Sequence, residues 1–65
     1  MSDLFPAATP SVSLARQIEA VEREVVMRRR VYPRRVADGR MTQRQADTET
    51  AVMEAVLATL RQVSA

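Results

Sequence analysis

The sequence predicts an all-α chain, a two-helix antiparallel hairpin that assembles into a homo-oligomeric helical bundle. Three observations carry this expectation. Apolar residues recur at helical rather than alternating spacing along two long segments. The one glycine of the chain, Gly39, falls between those segments. A T-x-x-Q signature follows it, with Thr42 and Gln45 at the spacing of a capping box that opens a second helix.

Residues 1–11 hold Pro6 and Pro10 and little charge, and they read as a flexible N-terminal arm ahead of a hairpin spanning 12–65. This segment lacks the basic and apolar regions of a secretory signal. No stretch approaches the ~20 apolar residues of a membrane span. The expected setting is therefore cytoplasmic, with no membrane partner.

Helix 1 is expected over about 13–37. Ser11 or Ser13 can cap it by accepting a backbone hydrogen bond. Leu14, Ile18, Val21, Val25, Tyr32 and Val36 then share one helical face. Arg28 falls on that same face, where a guanidinium must snorkel, pair with an acid or meet an anion. Ala20, Met27 and Val31 form a second strip. Pro33 cannot donate its amide, and a kink near it is expected rather than a stop, because Val36 keeps the helical phase. Gly39, after Asp38, supplies the left-handed stop.

Helix 2 is expected over about 43–63, with no glycine or proline inside. Ala46, Met53, Leu57 and Leu60 make one stripe, and Val52, Val56 and Val63 an adjacent one. Ala51, Ala55 and Ala58 permit close approach. So wide an apolar arc exceeds what one facing helix covers. The candidate core and oligomer residues are Ile18, Val21, Val25, Met53, Val56, Leu57 and Leu60. A chain of 65 residues with neither cysteine nor histidine has no disulfide or zinc site to reinforce a small core, which leaves self-association. A symmetric homo-oligomer is the expected form.

The charge is unevenly placed. Residues 28–44 hold seven arginines against Asp38 alone, a local charge of +6, whereas the whole chain carries +2 and the remainder therefore −4. Every basic side chain is arginine, whose planar fork suits bidentate phosphate recognition. A like-charged block of this kind is solvated or meets an anion. In a hairpin these residues gather near the turn, beside the positive end of helix 2. The candidate ligand-binding set is Arg28, Arg29, Tyr32, Arg34, Arg35, Arg40 and Arg44, with Tyr32 placed to stack a base. The competing reading pairs these arginines with acids of a neighbouring subunit, such as Asp47, Glu49 or Glu54.

Enzyme signatures are missing. One glycine excludes the phosphate-binding loop, the dinucleotide fingerprint and the G-x-S-x-G elbow. Glu19, Glu22 and Glu24 superficially form a carboxylate cluster, but Glu19–Arg23 and Glu24–Arg28 stand at i,i+4, the spacing of helical ion pairs. The expectation is a non-enzymatic binding protein with no cofactor and no metal.

Glu22-Arg23-Glu24, Val31-Tyr32-Pro33, Val36, Gly39-Arg40-Met41-Thr42 and Ala46 together resemble a pattern shared by small uncharacterised helical-hairpin proteins of tailed phages and prophages. The resemblance covers about two-thirds of the chain and leaves out residues 1–11. It implies action inside an infected or lysogenic bacterium by occupancy of a target. The favoured expectation is an oligomer that sequesters a (cyclic) nucleotide signal of host defence. The alternatives are a protein–protein inhibitor of a host defence complex and a nucleic-acid-binding accessory protein.

Overall fold

The computed structural model describes residues 11–65 and contains two helices, α1 (Leu14–Ala37) and α2 (Gln43–Ser64), with no strand among the described residues. The expected arm lies outside the described residues, apart from the exposed Ser11. The helix bounds agree with the sequence to within a residue at each end.

Each terminus has a local cause. Ser13, in extended geometry, accepts from the Arg16 amide at 3.1 Å and so caps α1. Gln17 reaches back to the Val12 carbonyl at 3.0 Å, which fixes the incoming chain. At the other end, the Gly39 amide bonds the Val36 carbonyl (3.1 Å) and the Arg40 amide bonds the Arg35 carbonyl (2.9 Å). These two bonds form a Schellman stop, and they need the φ of +75° that Gly39 adopts. The capping box of α2 is complete: Thr42 Oγ1 accepts from the Gln45 amide at 3.0 Å, and Gln45 Oε1 accepts from the Thr42 amide at 2.9 Å.

α1 runs through Pro33 without interruption. Proline has no amide hydrogen, so the Arg29 carbonyl loses its usual partner one turn later. Four residues of helix follow before the Gly39 stop.

The helices pack along the stripes that the sequence marks. Val25 of α1 and Ala46 and Leu57 of α2 are buried. Leu14, Ile18, Val21, Tyr32 and Val36 from α1, and Met53 and Leu60 from α2, are half-buried around them. Val56 lies outside this seam and is exposed, as are Val52 and Val63 of the adjacent stripe. Among the described residues three buried side chains make a thin core, short of what a small domain needs to stand on hydrophobic burial alone.

Candidate functional site

The local sequence puts the arginines at the turn. The last turns of α1 carry Arg28, Arg29, Arg30, Arg34 and Arg35; the Schellman loop carries Arg40; Arg44 follows on the first turn of α2. The structure divides them into two groups.

Arg28 and Arg29 are paired across the hairpin, Arg28 half-buried and Arg29 exposed. Arg28 Nε donates to Glu24 Oε1 at 2.8 Å, and its Nη1 donates to the Glu49 backbone carbonyl at 2.7 Å, with the Glu49 carboxylate at 3.8 Å. Its side chain is only 16% exposed. The hydrogen bond to Glu24 raises the Arg28 pKa above its ordinary value, against a smaller opposing effect of burial. Arg29 pairs with Glu54 across the groove between the helices. Glu49 and Glu54 thus meet Arg28 and Arg29 within one chain.

Arg30, Arg34, Arg35, Arg40 and Arg44 are exposed and make no ion pair or side-chain hydrogen bond among the described residues. Arg35 lies over the Tyr32 ring, its guanidinium carbon 5.7 Å from the centroid. Arg28 sits at the same distance from that ring. Both are within cation–π reach, so the half-buried Tyr32 links the braced arginine to a free one. Tyr32 is thus flanked by two guanidinium groups.

A shallow recess of about 320 Å³ lies beside this group, lined by Arg28, Arg29, Tyr32, Gln43 and Thr50, but also by Asp47 and Glu54. The two carboxylates offset the two arginines there, and Asp47 accepts from Gln43 Nε2 at 2.8 Å. The excess positive charge lies outside the recess, on the exposed arginines of the turn end of the hairpin. Some backbone donors at the α2 start are already used: Thr42 occupies the Gln45 amide through its hydroxyl and the Ala46 amide through its carbonyl.

The glutamates suspected of clustering are each committed to an arginine. Glu24 holds Arg28, Glu22 meets Arg61 at 2.7 Å, and Glu19 meets Arg16 at 2.8 Å. The expected Glu19–Arg23 pair does not form; Glu19 turns back one helical turn to Arg16 instead. Among the described residues no group of three or more histidine, cysteine, aspartate or glutamate side chains is placed to hold a metal, and no helix is long and apolar enough to cross a membrane.

Compared with known proteins, the chain matches no protein-family model, no curated protein and no solved structure.

Proposed function

We propose that this chain is a non-enzymatic, self-associating binding protein whose arginine-rich turn holds the phosphodiester groups of a nucleic acid. The observation that carries the reading is the set of five exposed arginines, Arg30, Arg34, Arg35, Arg40 and Arg44, without an acid partner among the described residues. An exposed basic end suits an extended phosphate backbone, which needs charge along a track and no enclosing pocket. Arg28 and Arg29 serve it indirectly, by fixing the end of α1 against α2. The resemblance to small phage and prophage proteins supports a role by occupancy in an infected bacterium, where a coated nucleic acid is withheld from host defence.

A second reading keeps the same chemistry with a smaller ligand. The recess beside Tyr32 falls near the lower bound of ligand-pocket sizes, and capture of a cyclic dinucleotide there would deprive the host of a signal. Asp47 and Glu54 in its wall disfavour phosphate unless a second subunit adds arginines to it.

Fluorescence anisotropy with a labelled single-stranded oligonucleotide and with a labelled cyclic dinucleotide separates the two. Oligonucleotide binding that weakens steeply with salt supports the first reading. Salt-tolerant binding of the dinucleotide alone supports the second. Binding of neither at low salt rejects both and leaves an acidic protein surface as the target.

A further inference from the structure

The outer surfaces of the two helices differ in kind. α1 turns Arg16, Glu19, Arg23, Arg30 and Arg34 to solvent, so its exposed Val26 and Met27 lie among charges. α2 does the opposite. Between Glu49 and Arg61 its one charged residue is Glu54, which is turned to the groove and paired with Arg29. Its exposed surface there is Ala51, Val52, Ala55, Val56 and Thr59, continued by Val63. Val52 is 50% exposed and Val63 67%. A solvent-facing helix normally carries charge on this side.

We infer that this face of α2 is covered by α2 of a second copy, running antiparallel across a two-fold axis. The occupant follows from two observations. The core among the described residues is thin and gains stability from further apolar burial, and a second copy is the one partner present whenever the chain is made. The face is also self-complementary: valines spaced by four and seven residues alternate with alanines, which allows close approach of one helix to its copy.

Charge fixes the direction. In a parallel pair the two turn ends, each with five arginines lacking an acid partner among the described residues, would lie side by side and repel. In an antiparallel pair they stand at opposite ends, roughly 30 Å apart over the length of α2, several times the screening length of about 8 Å at physiological salt. The helix dipoles then also oppose each other favourably.

This arrangement rests on the proposed binding of phosphodiesters by the turn, and it adds a consequence. Each dimer is a rod with one phosphate-binding end at each tip, so it bridges two nucleic-acid segments instead of clasping one. Bridging also multiplies weak single-end contacts by raising the effective concentration at the second end.

The test uses the full chain and the substitutions Val56→Glu and, as a second site on the same face, Val52→Arg. Light scattering should give a dimer for the parent and a monomer for both variants, with helical circular dichroism retained in at least one. In a spin-labelled Thr48→Cys protein, pulsed electron resonance should give a separation of roughly 25 Å or more, as expected from the rise per residue on an antiparallel pair. A separation under about 15 Å means parallel packing and overturns the proposal. With donor- and acceptor-labelled short oligonucleotides mixed, the parent should bring the two dyes together. A folded monomeric variant should still bind one oligonucleotide but abolish that transfer. A monomeric parent, or variants of unchanged mass, overturns the interface. Failure of every protein to bind oligonucleotide while the masses behave as expected overturns the ligand and leaves the interface standing; the bridging role then falls with the ligand.

Discussion

Arg28 donates from Nη1 to the backbone carbonyl of Glu49 at 2.7 Å, joining α1 to α2 across 21 positions of sequence. The same guanidinium holds Glu24 and lies over Tyr32. It is therefore a brace for the hairpin end that presents the free arginines. Its replacement should be read first in stability. Arg28→Ala should cost about 1.5–3 kcal/mol, the range for hydrogen bonds to charged groups, and Arg28→Lys should recover little because an ammonium cannot span both partners. Thermal unfolding followed by circular dichroism checks this. An unchanged midpoint would return Arg28 to the ligand-binding set.

Gly39 stops α1 at a φ of +75°, and a β-carbon placed there meets nothing within 4 Å. The cost of a side chain is then purely conformational. Gly39→Ala should destabilise by about 1–2 kcal/mol, and Gly39→Asn by less, since asparagine tolerates the left-handed region. For a domain of this size each kcal/mol corresponds to a midpoint shift of about 4–8 °C.

Pro33 lies inside α1, five residues before the cap at Asp38, and leaves the Arg29 carbonyl without its helical donor. Pro33→Ala should stabilise the hairpin by up to about 3 kcal/mol, reduced by the greater freedom of the unfolded chain. A lower melting midpoint in the variant would show that the proline geometry is needed to aim the turn.

The salt dependence of oligonucleotide binding counts phosphate contacts. Five free arginines predict a slope of log K against log salt of about −3 to −4 for single strands. Replacing Arg34 and Arg40 together by alanine should reduce its magnitude by about 1–2, with little loss of helix. A slope that stays unchanged would mean that these two side chains contact no phosphate.

The parts of the fold legible in the sequence are those set by near neighbours. Ser13, Gly39, Thr42 and Gln45 place the helix ends because capping depends on residues within one turn. Glu24–Arg28 was visible for the same reason. Glu19 had arginines at both i−3 and i+4, and spacing alone could not choose Arg16 over Arg23. The pairs Arg28–Glu49, Arg29–Glu54 and Arg61–Glu22 depend on how two helices align, which the pattern along one helix does not record. That alignment is also what divides the seven arginines into two braces and five without an acid partner among the described residues. A signal was nevertheless present: Arg28 sits on the apolar face, and a cation there needs a partner.

The most direct test of the central claim is an anisotropy titration of a labelled single-stranded oligonucleotide at fixed low salt, comparing the parent protein with the triple variant Arg34→Ala, Arg35→Ala, Arg40→Ala. The account predicts saturable binding by the parent and at least a tenfold weaker affinity for the variant, with the helical spectrum and molecular mass of both the same. Equal affinity of the two proteins, or no binding by the parent, would contradict it.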